Sequence, residues 1–141
     1  MKKIFLICVL SLFVFQSIVC AQNFNFIGKT KEEVKTLMQK TKKEFSFTRE
    51  VDTEDYHYLK FENEADTKTM LFIFNKGVCD YVKLMCDYSL MKNIVDSLNN
   101  NYQYQKNQSW IDYTSDEEYD CLIEMEKREW FFTLKTSRIK K

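Results

Sequence analysis

The sequence predicts an α+β domain with two helices packed on one face of an antiparallel sheet, in the order α-β-β-β-β-α-β-β-β. Three observations predict it. Apolar residues recur at spacings of three and four in two stretches, Val34-Leu37-Met38 and Leu90-Met91-Ile94-Val95-Leu98. Between and after those stretches the apolar residues alternate with period two, as half-buried strands require. Polar clusters separate the alternating runs, and with no proline and only two glycines the turns must lean on asparagine and aspartate.

The start of the chain differs in kind from the rest. Met1-Lys2-Lys3 leads into a run from Ile4 to Val19 with no charged side chain, short of the roughly 20 residues that span a bilayer. A basic start, an apolar middle and a small terminal residue describe a secretory signal peptide over residues 1–21, cut after Ala21, with one domain over residues 22–141. An uncleaved anchor helix is the alternative, and the run is short for it. Cys20 offers another, a bacterial lipoprotein cut just before a lipid-bearing cysteine, although Val19 stands where a small residue is normal. The Met-Lys-Lys opening looks bacterial. The expected compartment is therefore the periplasm or the cell exterior, with membrane attachment only through a lipidated Cys20.

Removing Lys2 and Lys3 with the leader leaves 19 basic against 21 acidic side chains, a net charge of −2. That balance lacks the basic footprint of a nucleic-acid binder. A content of 45% hydrophobic and 16% aromatic residues excludes disorder, and the absence of periodic glycine excludes collagen. Three cysteines remain after the leader, Cys79, Cys86 and Cys121, too few for a disulfide scaffold. The remaining 120 residues suffice to bury a core without staples.

The elements follow in order. Thr30 caps a helix whose Glu33 reaches back to the cap's own N–H, and the stripe Val34, Leu37, Met38 and Thr41 carries it to about Lys42. Lys40, Lys42 and Lys43 form a solvated basic end. From Phe45 a strand places Phe45, Phe47 and Val51 on one face. Tyr56 to Glu62 is the next, with His57, Leu59 and Phe61 opposite Tyr56, Tyr58 and Lys60. Thr69 to Asn75 is apolar on both faces, the mark of a strand covered on both sides. Asn75-Lys76-Gly77 makes a tight hairpin into Val78 to Cys86, where Val78, Val82, Leu84 and Cys86 alternate with Cys79, Tyr81, Lys83 and Met85. The second helix starts near Ser89 and ends at Asn99-Asn100-Asn101, a left-handed cap in expectation. Three strands follow, Ser109 to Tyr113, Tyr119 to Lys127 and Trp130 to Thr136, the last burying Trp130, Phe132 and Leu134. Arg138, Lys140 and Lys141 form a frayed tail. The two halves share a plan but no convincing sequence match, at most a weak internal pseudo-repeat.

The run Ile27-Gly28-Lys29-Thr30-Lys31-Glu32-Glu33-Val34-Lys35-Thr36-Leu37-Met38 resembles the helix opening of small secreted domains of the beta-lactamase-inhibitor-like and BamE-like outer-membrane assembly group. The resemblance covers about a dozen residues and the helix-and-hairpin order. It implies helices combined with an antiparallel sheet and action by binding other proteins. No Gly-x-Pro follows the helix, and no site residue carries over.

Little in the sequence points to catalysis. His57 is the only histidine, so any catalytic triad must use it, and its place beside Leu59 and Phe61 reads first as a packed or edge histidine. One histidine and three scattered cysteines lack zinc-ligand spacing. Cys79 and Cys86, an odd number apart on one strand, should face opposite ways, while Cys86 and Cys121 both point inward and form the candidate disulfide. Asp116, Glu117, Glu118, Asp120, Glu124 and Glu126 read as a turn and a solvated strand face. Gly28 and Gly77 build no phosphate loop, and no cofactor is expected.

One feature suggests function. If the helices cover one sheet face, Tyr56, Tyr58, Tyr81, Met85 and Phe131 gather on the other, with Trp110 or Tyr113 nearby. Amphipathic aromatic residues suit a binding surface, although they also pack against one another across strands. The expectation is an exported, non-enzymatic bacterial domain that binds a protein or envelope macromolecule and no nucleic acid. The alternatives are a lipid-anchored assembly component and a hydrolase of unknown type. Oligomeric state is left open.

Overall fold

The computed structural model describes residues 26–113 and 118–141; the expected leader with its Ala21 cut site, Cys20, and the Asp116-Glu117 pair lie outside them. Helix α1 spans Lys31–Thr41, and its capping box is complete. The Glu33 N–H donates to Thr30 Oγ1 at 3.4 Å, and the Thr30 N–H donates to Glu33 Oε2 at 2.8 Å. Two of the helix's unsatisfied donors are thus met by its own first turn. Strands β1 (Phe45–Asp52), β2 (His57–Asn63), β3 (Lys68–Asn75) and β4 (Val78–Asp87) follow. A single 3-10 turn, Tyr88–Leu90, leads into α2 (Met91–Asn101), and Asp87 caps that turn by accepting from the Ser89 N–H at 2.7 Å. The chain ends with β5 (Gln103–Tyr104), β6 (Ser109–Asp112), β7 (Tyr119–Lys127) and β8 (Phe131–Lys140).

The fold is α+β, with the eight strands forming one antiparallel sheet in the order β1-β2-β3-β4-β8-β7-β6-β5. Each half is a helix followed by a four-stranded meander, and the halves meet where β4 pairs with β8. Beneath α1, Val34 and Met38 pack with Phe26, Leu59, Met70 and Phe72. Beneath α2, Ile94 and Leu98 pack with Trp110, Ile123, Phe132 and Leu134. Val82 belongs to the first cluster and Leu84 to the second, and they stand two residues apart on β4. Residues two apart share a face, so both helices cover the same side of the sheet.

Two β-bulges decide which side chains face the helices, and both overturn expectations from simple alternation. Phe47 pairs with Phe61 but Arg49 pairs with Lys60, so Thr48 is an extra residue in β1. Phe45 and Phe47 therefore lie on the helix side while Val51 crosses to the open side beside Tyr58, and Glu50 and Asp52 turn inward. Ile73 pairs with Tyr81 but Phe74 pairs with Cys79, which makes Asp80 the extra residue in β4. Cys79 consequently shares the buried face with Val82, Leu84 and Cys86, and Val78 is exposed. A shift by one residue exchanges every following side chain between faces.

Other expectations are corrected as well. β3 is covered on one side only: Met70, Phe72 and Phe74 are buried, whereas Leu71 and Ile73 are half-buried on the open side. Lys42 closes α1 as a buried residue rather than a solvated one. α2 ends on Tyr102 in an extended conformation with φ −132° rather than on a left-handed asparagine; Asn101 stays helical, its side-chain amide donating to the Ser97 carbonyl. Two-residue β5 carries too little pattern to read. Trp130 stands outside β8 and is 78% exposed, and the basic end of the chain is no frayed tail, since β8 pairs with β7 out to Lys140.

The β4–β8 ladder stops at Tyr81 and Ser137, and the sheet forks there. Gly28 and Lys29 fill the fork: the Gly28 N–H donates to the Cys79 carbonyl at 2.7 Å and the Cys79 N–H donates to the Lys29 carbonyl at 2.8 Å. Gly28 adopts φ +85° here, and Arg138 packs directly against it.

Candidate functional site

The register aligns the open face into rows that run across the strands. One row comprises Val51, Tyr58, Ile73, Tyr81, Ser137, Leu122, Ile111 and Gln103, one residue from every strand. Six of these eight are apolar or aromatic, and those six are half-buried on the face that carries no helix. The next row holds Arg49, Lys60, Leu71, Lys83, Lys135, Glu124 and Ser109. The third holds Ser46, Glu62, Thr69, Met85, Thr133 and Glu126.

The five residues expected on this face are therefore distributed along it. Tyr58 and Tyr81 share a row on either side of Ile73. Met85 lies two rows away, roughly 13 Å at the strand rise, and Phe131 pairs with Asp87 one row further. Tyr56 precedes β2 at the opposite end and is 66% exposed. Of the two neighbours proposed, Trp110 instead sits inside, buried under α2 with its indole N–H donating to Asn99 Oδ1 at 2.8 Å, and Tyr113 is exposed just past β6. Sequence patterning missed the basic row between the tyrosines and Met85; strand alternation shows that Lys60, Lys83 and Lys135 face outward, and only the register shows that they share a line.

The remaining candidates are structural in geometry. Lys31 Nζ lies 2.7 Å from Asp52 and 3.1 Å from Glu50, while Lys35 Nζ lies 2.8 Å from Glu50 and 3.2 Å from Glu32. These ties fasten α1 to β1, and the lysine hydrogen bonds hold the Glu50 and Asp52 carboxyls below the usual carboxylate range. His57 Nδ1 is bonded to Asp52 at the same corner. β3 separates His57 on β2 from Cys79 on β4, and two strand spacings, roughly 10 Å, exceed the reach of a nucleophile and its base.

Burial pushes the Cys79 thiol up to about 12, with Asp80 adding to the effect and Arg138 opposing it. A thiol so shifted is a poor nucleophile at neutral pH. Cys86 and Cys121 both face inward, as expected, yet no disulfide joins them. Cys86 pairs with Phe132 and Cys121 with Arg138, six positions apart on β8, so roughly 20 Å separates two residues whose Cα atoms would have to approach within about 7 Å. Asp120 is 8% exposed rather than solvated, with Lys141 Nζ at 3.3 Å. No cluster of three or more His, Cys, Asp or Glu side chains suited to a metal ion occurs among the described residues, and no described helix is long and apolar enough to cross a membrane. Compared with family models, with curated proteins and with solved structures, the chain finds no match in any of the three.

Proposed function

We propose that the chain is an exported, non-enzymatic domain that binds a macromolecule of the bacterial envelope or exterior through its open sheet face. The observation that carries this reading is the apolar row through Tyr58, Ile73 and Tyr81, continued by Leu122 and Ile111 across the β4–β8 seam. A face of this kind, aromatic and bordered by charge, is the composition of a protein-binding patch. The likeness of Ile27 to Met38 to secreted binding domains agrees with it. So does the leader at residues 1–21.

Alanine at Tyr58 and Tyr81 together tests the reading. The two rings contribute cross-strand contacts with Val51 and Ile73, and Tyr81 supports Lys135 at 4.9 Å. Those contacts amount to about 2 kcal/mol, within a typical total of roughly 5–15. The double variant should stay folded by circular dichroism yet lose its partner in a pull-down. Unchanged capture by the folded variant, or unfolding on substitution, sinks the proposal.

A further inference from the structure

The basic row says what kind of partner fits. Lys83 and Lys135 stand directly opposite each other on β4 and β8, where side chains share a Cβ separation of about 5 Å and like charges destabilise the pair. Neither forms an ion pair among the described residues. Arg49 and Lys60 extend the same row, and of these Lys60 is bound to Glu62 at 2.6 Å. Four bases thus line up on a domain whose expected net charge after processing is −2. Lys135 Nζ lies 4.9 Å from the centroid of the Tyr81 ring, which joins the charged row to the apolar one.

We propose that the partner is an acidic protein surface whose carboxylates seat on Lys83 and Lys135 while its apolar side chains lie on Tyr58, Ile73 and Tyr81. The inference rests on the open face being the binding face. Charge complementarity carries it: Lys83 and Lys135 face each other in the register, neither is in an ion pair among the described residues, and Glu124 on β7 offsets Lys135 from one side only, so both acquire closer counter-charges on binding, an electrostatic fit that selects partners. A continuous polyanion fits less well, because it would leave the adjacent apolar row of Tyr58, Ile73 and Tyr81 unused.

The test places the photoreactive residue p-benzoylphenylalanine at position 58 of the full chain, irradiates the producing cells, and maps the captured segment by mass spectrometry. The expected adduct is a protein segment carrying aspartate or glutamate beside apolar residues. Lys83→Glu with Lys135→Glu should lower its yield by at least ~10-fold, and Lys83→Arg with Lys135→Arg should retain it. An adduct on a neutral or basic segment, a second copy of the chain, a lipid or a glycan overturns the acidic partner but keeps the binding face. So does an adduct indifferent to charge reversal. No adduct from position 58 or from the same probe at position 81 overturns the binding face itself.

Discussion

Alanine at Gly77 and alanine at Gly28 separate backbone strain from packing. Both glycines hold left-handed backbones, φ +83° and +85°. A Cβ at Gly77 meets nothing within 4 Å. Gly77→Ala therefore registers strain alone, about 1–2 kcal/mol. A Cβ at Gly28 comes within 3.3 Å of Arg138 Nη1, in a guanidinium stacked 5.6 Å over the Tyr119 ring. Displacing that stack adds about 0.5–1 kcal/mol. With a urea m-value of about 2 kcal/mol/M, the midpoint should fall by roughly 0.5–1 M for Gly77→Ala and by roughly 0.75–1.5 M for Gly28→Ala. In an Arg138→Ala background the two substitutions should become equal, because the packing component has been removed. Gly77→Asn should be nearly neutral, since asparagine tolerates the left-handed region. Urea unfolding followed by fluorescence reads all of these. A Gly77→Ala loss as large as the Gly28→Ala loss, or a difference that survives Arg138→Ala, refutes the reasoning.

Other outcomes follow from the same geometry. The depressed Glu50 and Asp52 carboxyls contribute stability that is complete above their unfolded values near pH 4 and is lost as pH falls through the folded values. The melting temperature should therefore drop as pH falls below about 4, and Lys31→Met should flatten that limb; an unchanged acid limb in this variant argues against the tie. Lys31 and Lys35 are raised by the same bonds, so their contribution is present at neutral pH and lost only as pH climbs through the raised values above roughly 10.4. Alkylation without reductant should spare Cys79, Cys86 and Cys121 in the native protein and label all three in denaturant; peptide mapping that finds two of them unlabelled after denaturation reveals a disulfide the register does not permit. Phe72 is fully buried between Phe26 and Phe61, at centroid distances of 4.9 Å and 5.6 Å. Phe72→Ala should cost about 3–5 kcal/mol, visible as a large loss of thermal stability by circular dichroism.

The residues that were legible in the sequence are those whose signal is local. Thr30 and Glu33 announce α1 because a capping box is complete within four residues. Gly77, preceded by Lys76 at φ 51°, announces the β3–β4 hairpin because both turn residues need positive φ. What stayed hidden depends on a second strand. The extra residues Thr48 and Asp80 exist only relative to the partners they fail to pair with, so simple alternation puts Val51 and Cys79 on the wrong faces. The candidate surface was half readable for the same reason. Tyr58 and Tyr81 betray an outward face by alternation, but Lys83 and Lys135 become neighbours only when β8, some fifty residues later in the chain, returns beside β4. Trp130 misled because a large apolar residue at a strand's start reads as buried, whereas the turn from Arg128 turns it outward.

The seam between β4 and β8 has a consequence for how the chain assembles. Each meander pairs strands that are neighbours in sequence, so each half closes with short loops and modest entropy loss. Among the described residues the one distant pairing of strands is the seam, from Tyr81–Ser137 to Asp87–Phe131. The molecule is thus two locally folding halves stitched mainly along the seam, with the Tyr88–Leu90 turn as the thread between them. Should that turn open, the second half of one chain meets on another chain the same β4 edge it leaves at home. Reciprocal exchange of halves, and reassembly from two fragments cut at this turn, are the characteristic behaviours of such a design.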